Sequence, residues 1–189
     1  MATIIRGFAF AGSSDSDMKG GIPSPAARIA MQLKPAAQRF DDLLAAHAMG
    51  GRVVEFPDST RSSAEAAAQI GCALAQIAKS LVFKAASGRP VLVIASGANR
   101  VDEKKITQAI GQKIGKADAD YVRTRTGYAI GGVAPLGHIE PPIVLIDRDL
   151  LALDPIWAAA GTPHSVFHLS ADELIRISGG AIADVRQGA

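Results

Sequence analysis

Apolar and polar residues alternate along this chain in two rhythms, one helical and one strand-like, that rarely stay in phase for long. Between residues 35 and 49, Phe40, Leu43 and Leu44 recur at helical spacing with His47 on the same face. Pro35 suits a first helical turn and Gly50-Gly51 ends it, so the pattern predicts a helix over 35–49. A short strand follows over 52–56. Ser62 and Glu65 then form an S-x-x-E capping box ahead of an Ala-rich helix over 63–70 that Gly71 closes. A second helical turn is expected over 73–78. The β-like run 79–84, the turn Ser87-Gly88-Arg89 and the apolar run 91–95 predict a hairpin. Ile106, Ile110 and Ile114 share a face of a predicted helix over 102–114.

The stretch 126–137, TGYAIGGVAPLG, is a glycine-rich loop without charges. A buried strand over 143–146 ends at Asp147. Two β-like segments, 156–160 and 165–169, precede a helix opened by Ser170 and a last strand over 181–185. Short strands succeed one another with helices between them, not in strict alternation. The expected class is α/β of the α+β kind, a mixed, curved, barrel-like sheet surrounded by helices. The expected organisation is a poorly structured segment at 1–24, a helical extension at 25–51 and the main domain at 52–189.

Composition narrows the function classes. In 189 residues, 48% are hydrophobic and 20% charged, which suits one globular domain with a substantial core. A net charge of +2 offers no broad basic surface, so any nucleic-acid contact must be local. Cys72, the only cysteine, sits in an apolar stretch and reads as a buried small hydrophobe. No apolar run reaches the roughly 18 residues of a membrane span, and the N-terminus makes a poor secretory signal, so a cytoplasmic address is expected. His164 and His168 would lie roughly 13 Å apart along a strand, too far for one metal ion. Neither a P-loop nor a G-x-S-x-G elbow is present.

Two features carry candidate chemistry. Lys79 stands where a helical turn passes into an apolar strand, a position that can aim a cation into a cleft or let it reach water. Gly131-Gly132-Val133-Ala134-Pro135-Leu136-Gly137 combines glycines that permit positive φ and close approach with a proline that stiffens the loop. Its backbone groups can hold an ammonium or an oxyanion, or the loop can be an ordinary turn. Val54, Phe56 and Ile130 are candidates for a pocket lining.

Taken in order, several pieces resemble the YbaK/prolyl-tRNA synthetase-associated editing domains. They are AEAAAQIG at 64–71, QIAKSLVF at 76–83, SGANRVDEKK at 96–105, TGY at 126–128, GGVAPLG at 131–137, the strand end at Asp147 and AGTPH at 160–164. The likeness covers roughly residues 50–186. It implies a deacylase acting in trans on the ester of a mischarged, small amino acid at the aminoacyl-tRNA 3′ end, with neither cofactor nor metal. On the matching positions it implies catalytic roles for Lys79, Gly131 and Gly132, and substrate contacts for Ser80, Pro135, Thr126, Asp147 and His164. A ribose hydroxyl of the substrate would help to activate water. A second copy of the chain or an aminoacyl-tRNA synthetase is a further expected partner, and no membrane is expected. Two rivals stay open: a non-catalytic module that captures tRNA 3′ ends or nucleotides, and an esterase for small aminoacyl esters.

Overall fold

A computed structural model of the chain describes residues 33–57 and 62–188. The expectation for residues 1–24 and the first part of the extension at 25–51 lie outside these residues. Helix α1 (Pro35–Ala45) has Pro35 in its first turn and buries Ala37, Phe40 and Leu44. Strand β1 (Val53–Glu55) and helix α2 (Ser63–Ile70) follow. Ser62 Oγ accepts from the Glu65 amide at 3.2 Å, and Gly71 ends α2 with φ of 77°. Such a cap is worth about 1 kcal/mol.

Only a 3-10 turn, Leu74–Gln76, occupies the place of the expected second helical turn. Ile77 and Ala78 already belong to β2 (Ile77–Ala85), because they pair with Trp157 and Ala158. The hairpin of β2 with β3 (Pro90–Ser96) forms as expected, over seven residue pairs from Ala78–Ser96 to Lys84–Pro90. Helix α3 (Glu103–Ile110) is shorter than its isoleucine spacing suggests. Gly111 turns left-handed at φ 67°, and Ile114 begins strand β4 (Ile114–Lys116). Helix α4 (Ala119–Thr126), which the apolar pattern does not reveal, is capped by Asp118 accepting from the Tyr121 amide at 2.7 Å. The chain closes with β5 (Ile143–Asp147), a 3-10 turn (Arg148–Ala152), β6 (Ile156–Ala159), β7 (Ser165–Leu169), α5 (Ala171–Ser178) and β8 (Ala181–Ala183).

The strands form one mixed sheet in the order β1-β7-β6-β2-β3-β5-β8, with β4 also pairing β2. The path is open, so the barrel-like description holds only loosely. β3 lies inside the sheet, between β2 and β5, and every one of its residues is buried. Alternation divides its side chains between two cores: Leu92 and Ile94 join α1, α5 and β7, whereas Val91, Val93 and Ala95 join Ile106 of α3. A third cluster sets α2 against Ile77, Trp157 and Val166. Among the described residues, no helix is long and apolar enough to cross a membrane.

Helix α1 is fastened to the sheet. The Phe40 ring meets that of Phe167 at 5.3 Å between centroids, and the Lys34 amide donates to Glu55 Oε2 at 2.7 Å. At the other side of β1, Arg52 pairs with Glu173 at 2.8 Å, and Glu173 also accepts from the Ser170 amide in a capping box. Replacing Phe40 with Ala should lower unfolding free energy by about 3–5 kcal/mol in urea titration, as for a core phenylalanine. The hydrogen bond from Arg52 comes first among the influences that hold the Glu173 carboxyl below its ordinary value of 4.5. A carboxyl lowered in the folded state contributes stability above its unfolded value and loses it as pH falls through the folded one. Urea midpoints should therefore decline below about pH 4.5, and Glu173→Gln should flatten that part of the profile.

Candidate active site

β2 and β6 run parallel and pair at only two positions, Ile77–Trp157 and Ala78–Ala158. Further along, that edge of β2 is taken up by β4, at Phe83, Lys84 and Ala85. Lys79 and Ser80, at the start of the stretch between, border a cleft of about 150 Å³. Lys79, Ser80 and Ala78 form one wall, Ala158 and Ala159 of β6 another, and Gly131, Val133, Thr162 and Pro163 a third. Trp157, Ala66 and Val166 complete the lining together with the hydroxyl residues Ser62, Ser63 and Ser165.

The glycine loop meets the 160–165 loop at very short range. Gly131 has φ of 87° and lies opposite Pro163. A Cβ on Gly132 would fall 2.7–2.9 Å from backbone atoms of Thr162, so no side chain fits there without moving one of the loops. The Gly132 amide donates to the Ala129 carbonyl at 2.9 Å, so it serves the turn. The facing loop is held by hydroxyls: Ser165 Oγ donates to the Ala160 carbonyl at 2.9 Å, lies 2.7 Å from Thr162 Oγ1, and Thr162 Oγ1 accepts from the His164 amide.

Lys79 is held at its tip. Nζ donates to the Gly97 carbonyl at 3.3 Å and to the Asn99 carbonyl. Those carbonyls belong to a turn built around Asp147, whose side chain is fully buried. Asp147 accepts from the Ser96 amide at 3.2 Å, from Asn99 Nδ2 at 2.8 Å and from the Asp149 amide at 3.1 Å. Burial pushes the Lys79 ammonium below the usual lysine range, and the Asp147 carboxylate partly opposes that.

The structure thus brings Lys79, Ser80 and Gly131 together on the cleft. Gly132 lies just behind, where it permits the close packing. Asp147 sits underneath and reaches Lys79 through the turn. Thr126 is buried at the end of α4, with Oγ1 donating to the Val122 carbonyl at 2.7 Å and accepting from the Tyr128 amide. Pro135 is buried in the loop. His164 precedes β7, its carbonyl accepting from the Phe56 amide at 2.7 Å. The Nδ1 of His164 is buried without a hydrogen-bond partner among the described residues, as are Ser80 Oγ and Trp157 Nε1. The suggested lining residues Val54 and Phe56 pack in the α2 core instead, and Ile130 is 60% exposed. His168 packs edge-on against Trp157 at 5.3 Å.

Asn99, Trp157 and Thr162 also belong to the site; Asn99 and Thr162 fall in the pieces SGANRVDEKK and AGTPH without a role assigned to them, and Trp157 falls in none. A trace exists for Asn99: Ser-Gly-Ala-Asn is turn-forming, and asparagine readily bonds local backbone. Nearby, Tyr128 donates to the Leu136 carbonyl at 2.7 Å and is pushed up to about 12 by burial, so it keeps its proton and ties the loop's two ends. Burial also pushes the His138 imidazole down, opposed by a hydrogen bond with the Ala134 backbone.

A family model of the aminoacyl-tRNA editing domain matches residues 57–177. The uncharacterized protein YwhH of Bacillus subtilis (strain 168) is 35% identical over 126 residues, which are 67% of this chain and 80% of YwhH. A crystal structure described as "a putative trans-editing enzyme for prolyl tRNA synthetase" is 41% identical, with a TM-score of 0.78 over 83% of this chain and 100% of that one. The structure of the hypothetical protein APE2540 is 27% identical, with a TM-score of 0.72 over 78% of this chain and 98% of its own.

The packing of the two loops has a direct consequence. Gly132→Ala should cost about 1–3 kcal/mol in urea titration, as overpacking does. Gly115→Ala, on β4 where a Cβ meets open space, should stay within about 0.5 kcal/mol of the parent.

Proposed function

The chain belongs to the aminoacyl-tRNA editing domain family, and on that premise we propose that it is a trans-acting deacylase for tRNA bearing a wrong, small amino acid. The cleft between β2 and β6 carries the reading. A cavity of about 150 Å³ is the size that holds benzene, so this one suits an amino-acid side chain of about six heavy atoms or fewer, not a nucleotide. Alanine, serine and cysteine fall within that limit. A further partner on this reading is a prolyl-tRNA synthetase, which the similar trans-editing protein's description names for that protein.

The chemistry asked of the site is modest. Water adds to the acyl carbon, the tetrahedral intermediate places charge on the former carbonyl oxygen, and the bond to the ribose oxygen then breaks. The free amino acid and a ribose hydroxyl are the products. Holding an activated ester beside a water lowers the barrier by removing the entropy of encounter. Gly131 lines the cleft, so we assign its amide to the developing oxyanion, a donor worth roughly 3–4 kcal/mol. Lys79 would hold the sugar or phosphate of the terminal nucleotide; its ammonium is half-buried, and its carbonyl partners are neutral, so its charge remains available to an anion. Ser80 and Thr162, which line the cleft, would lie beside the acyl group. Gly132 and Pro135 keep the loop's shape, and Asp147 and Thr126 act from beneath. His164 contributes from the edge of the facing loop. A ribose hydroxyl can activate the water, since none of these side chains is arranged as a nucleophile with its base.

Deacylation of a panel of mischarged tRNAs tests the reading. The parent protein should release one or a few small amino acids. Lys79→Ala should lose about 100-fold or more in kcat/KM while unfolding at the parent's temperature. Full activity in the folded variant would remove Lys79 from the mechanism. Binding of tRNA without release of any amino acid would point to a capture module instead.

A further inference from the structure

Lys79 lines a second space besides the acyl cleft. A groove of about 640 Å³ runs past its other side, bordered by Leu81, Arg100, Glu103, Lys104 and Gln187. Two cations beside the groove are neutralised: Lys105 pairs with Asp184 at 2.8 Å and Arg186 with Asp149 at 3.2 Å. Arg100 and Lys104 are exposed, and among the described residues neither side chain has a hydrogen-bond or ion-pair partner.

Both sit on well-anchored backbone. The Arg100 carbonyl accepts from the Gln187 amide at 2.8 Å, Val101 bridges to Arg186, and the Asp102 amide donates to the Val185 carbonyl at 2.8 Å. Asp102 also lines the groove, but its carboxylate caps α3 by accepting from the Lys104 and Lys105 amides. Glu103 is the remaining carboxylate in the groove, and it is exposed.

We propose that this groove holds the phosphates immediately 5′ of the terminal nucleotide of the tRNA 3′ end, with Arg100 and Lys104 as the cations that contact them. The inference rests on the reading of an aminoacyl-tRNA ester as substrate. The acyl cleft is too small for a nucleotide, so the chain leading away from the ester must lie outside it. Lys79 is the wall common to both spaces, so a strand whose ester enters the cleft beside Lys79 reaches the groove directly. Two cations without partners among the described residues, in a protein of net charge +2, provide local affinity for phosphate without a broad basic surface.

Binding of an uncharged RNA hairpin with a tRNA-like single-stranded 3′ overhang, followed by fluorescence anisotropy at several salt concentrations, tests this independently of turnover. The double variant Arg100→Ala/Lys104→Ala should bind about 10-fold more weakly. The slope of log K against log salt should shrink by about 1.4, at about 0.7 per single-strand phosphate. Glu103→Gln should bind more tightly than the parent. An unchanged affinity and slope in the double variant would overturn the proposal, as would an equal loss on a blunt hairpin lacking the overhang. The predicted binding pattern in a protein that hydrolyses no aminoacyl-tRNA would sustain the groove and remove only the deacylase reading.

Discussion

Parallel pairing between β2 and β6 stops after Ala78, and the candidate site depends on that stop. Sheet edges are normally satisfied by continuous ladders, because unpaired backbone groups are costly when buried. Here one edge of β2 is divided between β6 at its start and β4 at its end. The unpaired stretch between them, where Lys79 and Ser80 lie, borders a space the size of a small side chain. The other edge of β2 is locked to β3 over its length, and β3 is buried from end to end, so the strand that carries Lys79 is fixed while its free stretch stays open. A rigid strand beside a small gap suits catalysis by positioning better than a mobile loop does.

A buried carboxylate supports that arrangement from below. Asp147 reaches the site only indirectly, through the Ser96 amide and the Asn99 side chain, which shape a turn whose carbonyls receive Lys79. An ammonium held by carbonyls rather than by an ion pair keeps its charge for a ligand. The carboxylate nearby offsets part of the desolvation that burial imposes on it. On the opposite wall, the glycine loop and the 160–165 loop approach so closely that Gly132 can bear no side chain. Cleft width is thereby tied to backbone contact, as the proposed choice among amino acids differing by one or two heavy atoms would require.

Much of this was legible in the residues, for reasons that differ by element. Ser62, Gly71 and the Ser87-Gly88-Arg89 turn are local signals, and they mark α2 and the β2–β3 hairpin correctly. Ile106, Ile110 and Ile114 are misleading: the spacing continues past Gly111, but the left-handed turn there ends α3 and hands Ile114 to β4. Helix α4 has too few apolar residues to announce itself, with only Val122 and Thr126 buried, and rests instead on its Asp118 cap. Lys79, Ser80 and Gly131 were legible as members of an ordered set of motifs. Asn99 and Thr162 fall inside pieces of that set, but their roles were not legible, because they arise from contacts that only the fold creates, such as Asn99 with Asp147, 48 residues away. Asp147 was legible as important but not as buried. Helix α1, which precedes the residues matched by the family model, shares the main core through Phe40 and Leu44, a relation that its amphipathic pattern alone left open.

The claim that the gap between β2 and β6 receives the aminoacyl group is tested most directly by NMR. A hydrolysis-resistant 3′-aminoacylamino-adenosine would be titrated into the protein while backbone amide shifts are followed. The account predicts the largest shifts at Ser80, Gly131, Thr162 and the Gly97–Asn99 turn, with Lys79 Nζ shifting as well. Shifts confined to the far side of the glycine loop, around Arg39, Leu43 and Tyr128 where α1 borders another groove, with the β2–β6 gap silent, would contradict it.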